Sequence, residues 1–324
     1  MIARRDFITL LGGAAAWPVT AAAQQPASAV VGYLYLGSPE PIEKQVAAFR
    51  RGLSETGFIE GRNLTIEYRW AHNDRSRLSD LAADLVRRQV AVIATPASYD
   101  TALAAKAATS TIPIVFSGAA DPVAVGLVQS LTRPGGNVTG LSSMNQELLS
   151  KRFELLHELV PNATRLAILG GTLDEATIAN ARAAALALGG SVEFVNARTN
   201  REIEAAFAIL RQRQIDALVL GAAPLIIGRR VQLATLAVHY KLPAIYGARE
   251  NVEAGGLVSY GTNLTDQVRQ VGIYTGRILK GEKPADLPVV RAAAFELVIN
   301  LQTARLLGIE VPPTLLALAD EVIE

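Results

Sequence analysis

The alternation of short apolar runs with longer amphipathic segments is the feature that most limits how this 324-residue chain can fold. Runs rich in β-branched and aromatic residues, such as AVVGYLYLG at residues 29–37 and IPIVFSG at residues 112–118, are separated by segments with helical spacing. Strands that alternate with helices are typical of βαβ units, whose strands form parallel sheets. The sequence therefore predicts an α/β fold.

The same alternation occurs twice along the chain. A first series runs to about residue 143, and a second begins near Asn145 with the helical segment ELLSKRFELLHELVP. The repetition concerns architecture and not residue identity, and its period is far longer than that of a solenoid. We therefore expect two Rossmann-like lobes with parallel sheets, facing each other across a cleft.

The C-terminal segment contains too few strands to fold alone, so we expect it to return to both lobes. Lobe 1 is predicted to comprise residues 29–143 with about 264–292, and lobe 2 residues 144–263 with about 293–324. Three chain crossings would join the lobes in a hinge of three strands, near residues 141–144, 260–264 and 290–295.

The N-terminus has the form of an export signal. Arg4 and Arg5 precede a short apolar run, and AAAQQ at residues 21–25 supplies small residues for a signal peptidase. The apolar run is too short to span a bilayer. We predict a signal peptide over residues 1–23 and a periplasmic mature protein; the paired arginines resemble a twin-arginine signal.

Charge and cysteine content exclude several classes of protein. The chain has 31 basic and 30 acidic residues, so no basic surface for nucleic acid is expected. It contains no cysteine, which excludes disulfides, thiolate catalysis and a lipid-modified cysteine anchor. We predict a soluble monomer that does not bind nucleic acid.

Catalytic signatures are also missing. The sequence lacks H-E-x-x-H, G-x-S-x-G, G-x-G-x-x-G and a phosphate loop with G-K-[ST]. Its three histidines, at positions 72, 157 and 239, are far apart in the sequence. We therefore predict neither an enzyme nor a metal or organic cofactor.

Polar residues follow several predicted strands of lobe 1, and ligands of open parallel sheets bind beyond the carboxyl ends of strands. Hydroxyls stand in this position at Ser38, Thr95, Ser98 and Ser117. Each could contact a polar ligand group or instead cap the next helix. Asp121 could bind a ligand amine, although its place before Pro122 is typical of a helix N-cap.

Three larger polar side chains follow a predicted strand of lobe 2. Tyr246 could stack on a ring, Arg249 could pair with a carboxylate, and Glu250 could accept from an amine. Arg249 and Glu250 could instead pair with each other or with solvent.

Several segments resemble the family of ABC-importer substrate-binding proteins that includes tryptophan- and tyrosine-binding members. The resemblance covers nearly the whole mature chain, and the segments that carry it are GRNLTIEYRWA, LAADLVRRQVAVIAT, IPIVFSGAADPVAVGLV, RPGGNVTGL, KRFELLHELVP, FELVINLQTARLLGI and ADEVIE.

The resemblance implies a type I periplasmic-binding-protein fold whose lobes close on a small solute and deliver it to an ABC permease in the inner membrane. By position, the family's ligand contacts fall on loops of both lobes. They hold Ser38, Thr95, Ser98, Ser117, Ala119 and Asp121 in lobe 1, and Thr172, Ala222 and residues 246–250 in lobe 2. The loop LGGTLDEATI departs from the Asn- and Pro-containing turn of relatives, so tryptophan is not assigned as the solute.

Three functions remain open at this point. The leading hypothesis is the periplasmic solute-binding component of an ABC importer that captures a small polar or aromatic amino-acid-like solute by hinge closure. A periplasmic sensor subunit for a receptor kinase would use the same cleft. An exported α/β enzyme would be recognised by turnover of a bound compound.

Overall fold

The structure is a computed structural model that describes residues 28–119, 121–143, 148–170, 175–292 and 295–324. The predicted signal peptide, residues 1–23, lies outside the described residues.

The first half of the described chain alternates strands and helices as the sequence pattern predicts. Its elements are β1 (Ala29–Tyr35), α1 (Glu43–Glu55), β2 (Leu64–Trp70), α2 (Leu78–Arg87), β3 (Val92–Thr95), α3 (Tyr99–Ala108), β4 (Ile114–Gly118) and β5 (Val138–Ser142). Short 3-10 turns at Glu40–Ile42 and Arg75–Arg77 precede α1 and α2.

The second half begins with a helix and then repeats the alternation. Its elements are α4 (Leu149–Leu159), β6 (Arg165–Gly170), α5 (Glu175–Ala187), β7 (Ser191–Asn196), α6 (Asn200–Gln212), β8 (Ala217–Leu220), α7 (Pro224–Gly228), α8 (Arg230–His239), β9 (Ala244–Tyr246), α9 (Arg249–Glu253) and β10 (Val258–Thr262).

The C-terminal segment supplies the remaining elements. They are α10 (Leu264–Leu279), a 3-10 turn at Pro284–Asp286, β11 (Val290–Arg291), β12 (Phe295–Asn300), α11 (Leu301–Leu307), α12 (Pro313–Leu318) and β13 (Glu321–Ile323). Asn263 and Asn300 begin α10 and α11 as side-chain N-caps, accepting from Asp266 N and Thr303 N. An asparagine in this position satisfies a backbone N–H that the helix itself leaves unpaired.

The strands form two sheets. The first has the order β11-β5-β4-β3-β1-β2, and all its pairs are parallel. The second has the order β13-β12-β10-β9-β8-β6-β7 and is parallel except for the pair of β10 with β12. The predicted α/β fold with two parallel sheets is confirmed, and the antiparallel pair of β10 with β12 is the one departure from it among the described strands.

The chain passes between the sheets three times. It leaves the first sheet after β5, returns to it after β10 through α10, and leaves it again after β11. Below, lobe 1 means the first sheet with α1–α3 and α10, and lobe 2 means the second sheet with the other helices.

Helices α1 and α10 cover one face of the first sheet and pack closely against each other. Phe49 and Leu53 of α1 are fully buried in one core with Val268 and Val271 of α10. Gly52 lies where the helices meet, and a Cβ there would overlap the backbone oxygen of Arg269. The same apolar core extends to Ile227 and Ala248 of lobe 2, so the lobes are in contact.

Candidate functional site

A cavity of about 510 Å³ lies between the lobes, at the carboxyl ends of strands from both sheets. This volume falls in the range of small-molecule sites. Lobe 1 contributes Leu36, residues 73–76, residues 97–100 and Ala119; lobe 2 contributes Leu149, Arg152, residues 168–170, Thr177, Ala197, Arg198, Val219 and residues 221–226. We refer to it as the cleft cavity.

A strained turn after β3 forms part of the lobe 1 wall. Ala97 has a φ of 63°, in the left-handed region that residues with a Cβ rarely adopt. Its N–H donates a 2.9 Å hydrogen bond to the buried hydroxyl of Ser117 at the end of β4. Ser117 therefore holds the turn, while Ser98, which follows Ala97, lies at the cavity wall.

The loop after β2 also reaches the cleft cavity. His72 and Asn73 have φ values of 55° and 64°, so two successive left-handed residues turn the chain after the strand. The backbone N–H of Asn73 donates to the Leu36 oxygen at 2.7 Å. The side-chain Oδ1 of Asn73 is buried and has no partner among the described residues. Ser38 lies beside this loop, where its hydroxyl is 3.0 Å from Nδ1 of His72.

Tyr99 at the start of α3 adds an aromatic side chain to the cavity wall. Its ring packs edge-on against Phe116, with centroids 5.4 Å apart. Burial raises the pKa of the Tyr99 phenol, so it stays neutral at physiological pH. Its neutral ring can offer an apolar face to a ligand.

Arg152 of α4 is a buried cation in the lobe 2 wall. Its side chain lies on the inward face of α4, between the buried Leu149 and Phe153, and the residue is 2% exposed. The Nε donates a 2.7 Å hydrogen bond to the Tyr260 oxygen of β10. Burial lowers the pKa of Arg152 to about 10, so the guanidinium remains charged at neutral pH.

The structure brings only some of the predicted residues to the cleft cavity. Ser98, Ala119 and Ala222 line it. Thr95 lies fully buried at the end of β3, with a hydroxyl that has no partner among the described residues. Asp121 is exposed, and its carboxylate accepts from Val123 N at 2.8 Å, capping a turn instead of a helix. Thr172 lies outside the described residues.

Tyr246 and Arg249 do not line the cleft cavity. Tyr246 is fully buried in the core of lobe 2. Arg249 pairs with Glu253 at 3.0 Å, Glu296 at 2.8 Å and Glu321, which joins α9 to β12 and β13. Burial opposes its charge, but the hydrogen bonds to these carboxylates raise its pKa.

Glu250 connects the lobes instead of pairing with Arg249. Its buried Oε1 accepts a 2.7 Å hydrogen bond from Nε2 of Gln45 in α1. Lys44 and Glu253 form a second contact between lobes at 3.1 Å. Arg230 of α8 adds a third by donating to the Pro41 oxygen at 3.1 Å. We refer to these three pairs as the cross-lobe contacts.

The described ranges contain neither a cluster of metal-binding side chains nor a membrane-spanning helix. No group of three or more histidine, cysteine or acidic side chains in these ranges could hold a metal ion. None of the described helices is both long and apolar enough to cross a membrane.

Sequence reasoning missed Arg152, Asn73 and Tyr99. One signal for Arg152 was available, since a charged residue stands within the apolar spacing of Leu149, Phe153 and Leu156 on a predicted helix. Asn73 and Tyr99 carry no comparable signal, because their position depends on how loops of different strands converge.

The sequence profile described as ABC transporter substrate binding protein matches residues 37–323. A tyrosine-binding protein of Clostridioides difficile (strain R20291) is 28% identical over 286 residues, which covers 86% of this chain and 81% of that protein.

Solved structures are similar over the same range. A conserved domain protein from Vibrio cholerae O1 biovar El Tor N16961 has 27% identity and a TM-score of 0.84, covering 91% of this chain and 99% of its own. An ABC domain in complex with L-Trp from Streptococcus pneumonia has 26% identity and a TM-score of 0.83, covering 92% of this chain and 100% of its own.

Proposed function

The chain belongs to the ABC transporter substrate-binding protein family and has the type I periplasmic-binding-protein fold, and on this basis we propose that it is the solute-binding component of an ABC importer. In this role it captures a small polar or aromatic amino-acid-like solute in the periplasm and delivers it to a permease in the inner membrane.

One observation carries the proposal: the cleft cavity is walled by both lobes. A solute held there contacts Ser98 and Tyr99 of lobe 1 and Arg152 and Ala222 of lobe 2 at the same time. Because only the closed arrangement offers both walls, binding favours closure by the difference in affinity between the closed and open forms. A permease can then distinguish the loaded protein by its shape.

The character of the walls supports an amino-acid-like solute. Leu36, Leu149, Ile168 and Val219 supply apolar surface for a side chain, and Tyr99 adds a ring. Polar groups near the strand ends can orient one end of the solute. The similarity to a tyrosine-binding protein and to a domain complexed with L-Trp supports the aromatic amino acids as the first solutes to test.

The experiment is a thermal-unfolding screen of the mature protein against L-tryptophan, L-tyrosine, other amino acids, aromatic acids, amides and small organic acids. A solute at 100 times its Kd stabilises the folded protein by about 2.7 kcal/mol. We expect a selective, saturable rise in Tm, with the solute recovered unchanged. Absence of a shift across the panel, or conversion of a hit, would overturn the proposal.

A further inference from the structure

Arg152 is a buried, charged side chain in the lobe 2 wall of the cleft cavity. We propose that its guanidinium binds the carboxylate of the solute, so that the protein selects small carboxylic acids with an apolar body. This inference rests on the proposed function and names the chemical group by which the cleft cavity recognises its solute.

The guanidinium lies between the middle of β10 and the carboxyl end of β9, two neighbouring strands of lobe 2. Its Nε is fixed by the Tyr260 oxygen of β10 at 2.7 Å. Its Nη2 lies beside Gly247, at the end of β9, where a Cβ would be 3.1 Å from Nη2 and 2.9 Å from Ala222 N. The glycine therefore leaves room for the guanidinium at the end of β9, beside Ala222 of the cavity wall.

The chemistry of this position favours a carboxylate. A guanidinium presents a planar set of N–H donors that matches the two oxygens of a carboxylate. Arg152 is 2% exposed, so its charge is already largely removed from water before a solute arrives. A solute carboxylate therefore meets an oriented cation in surroundings where water screens the attraction weakly.

Other charged groups of the cavity wall are more exposed than Arg152. Arg75 pairs with Asp100 at 2.8 Å, and both side chains are about half exposed. Asp74 is exposed and accepts from the Ser76 hydroxyl at 2.6 Å. Arg198 is also exposed. Among the described residues that line the cavity, Arg152 is the charged residue that is buried.

The first test compares matched acids and amides by calorimetry on the wild-type protein. The pairs are L-tryptophan with L-tryptophanamide, L-tyrosine with L-tyrosinamide, and indole-3-acetate with indole-3-acetamide. We expect at least one acid to bind about 10- to 100-fold more tightly than its amide, since hydrogen bonds to charged groups contribute that much.

The second test compares variants of two arginines in lobe 2. Arg152→Gln is expected to lower the acid-to-amide ratio of affinities to near one, and Arg152→Lys to leave an intermediate ratio because the charge remains without the planar donors. Arg165→Gln is the control, since Arg165 is exposed and lies at the start of β6, opposite the cavity. It should keep the wild-type ratio.

The outcomes separate the two proposals. If the wild-type protein binds an acid and its amide equally, or if folded Arg152→Gln keeps the wild-type ratio, the inference is overturned and the proposed function stands. If no member of any pair binds and the wider panel also gives no hit, both are overturned. Should Arg152→Gln not fold, the wild-type comparison and Arg152→Lys still decide the question.

Discussion

Gln45 of lobe 1 donates a 2.7 Å hydrogen bond to Glu250 of lobe 2, and both side chains are buried where the lobes meet. The bond joins α1 to α9, which lie 205 residues apart in the chain. If the lobes open and close as proposed, opening breaks this bond, so we expect the pair to contribute to the free-energy difference between the closed and open forms.

We expect Gln45→Ala to weaken solute binding by destabilising the closed form. The substitution leaves Glu250 Oε1 without its donor in a buried position, which costs about 1–3 kcal/mol. This corresponds to about a 5- to 150-fold rise in Kd if the cost is confined to the closed form. Calorimetry with the solute found in the thermal screen measures the change, and small-angle scattering measures the opening.

Lys44→Ala provides the matched control for this prediction. Lys44 also contacts lobe 2, but 76% of its side chain is exposed. Exposed ion pairs contribute little because water screens them. We expect Lys44→Ala to change Kd less than threefold or so; an equal effect of the two substitutions would contradict the role given to the buried hydrogen bond.

The pH dependence of stability should reveal Glu250. Burial raises its pKa, while the hydrogen bond from Gln45 opposes the rise in part. A carboxyl with a raised pKa in the folded state stabilises the protein most below its ordinary value of 4.5. This contribution is lost as the pH rises from 4.5 through the raised value. Glu250→Gln should remove that slope from a series of urea-unfolding curves.

Glu253 offers a control of opposite sign. Burial would raise its pKa, but hydrogen bonds from Arg249 and Lys44 outweigh burial and lower it. Its contribution is therefore present above the ordinary value of 4.5 and is lost as the pH falls through the lowered value. The slope in question is the fall of the unfolding free energy as the pH rises above 4.5. If Glu253→Gln removed this slope and Glu250→Gln did not, the pH dependence assigned to Glu250 would belong to Glu253.

The strained turn at Ala97 leads to a prediction in which glycine stabilises the protein. A left-handed conformation costs a residue with a Cβ about 1–2 kcal/mol, and glycine avoids this cost but loses more chain entropy on folding. We expect Ala97→Gly to raise the free energy of unfolding by about 0.5 kcal/mol. Ser117→Ala, which removes the acceptor of the Ala97 N–H, should lower it by about 1 kcal/mol.

Ala107→Gly is the control for the same change elsewhere. Ala107 is exposed within α3. Glycine in a helix interior costs about 1 kcal/mol relative to alanine, and Ala107, in the last turn of α3, should show part of this cost. Urea unfolding should therefore give opposite signs at the two positions. A loss of stability in Ala97→Gly as large as that in Ala107→Gly would argue against strain at the turn.

Arg249→Met tests whether this arginine is structural. It removes the pairing partner of Glu296 and Glu321 and leaves neighbouring carboxylates to repel each other. We expect the free energy of unfolding to fall by about 1–2 kcal/mol, between the losses for an exposed and for a buried ion pair, since the Arg249 side chain is 22% exposed. The acid-to-amide ratio should stay unchanged. A changed ratio with unchanged stability would place Arg249 in contact with the solute.

The alternation of apolar runs with helical segments was sufficient to predict two sheets of parallel strands. Strands that are buried on both faces are continuous apolar runs, as in IPIVFSG. The segments between these runs form helices, which cover the faces of the sheets. The predicted family is confirmed by a profile match over residues 37–323. The short strand β13 was not predicted, because it is only three residues long and gains its stability from pairing with β12.

The position of each side chain at the site was harder to predict. Sequence places Ser98 and Ser117 alike, directly after apolar runs, yet Ser98 lines the cavity and Ser117 supports the Ala97 turn. Arg249 also follows a strand, but the return of β12 and β13 surrounds it with carboxylates. Such differences depend on contacts between distant segments, which local patterns do not encode.

The packing of α1 against α10 also determines when the protein can fold. Glu55 of α1 pairs with Arg269 of α10 across 214 residues of sequence. While the chain is being synthesised, Phe49 and Leu53 have no α10 to cover them. Lobe 1 is therefore synthesised first but cannot complete its core until α10 has been made. A nascent chain that stops short of α10 presents an apolar helix face to which a chaperone can bind.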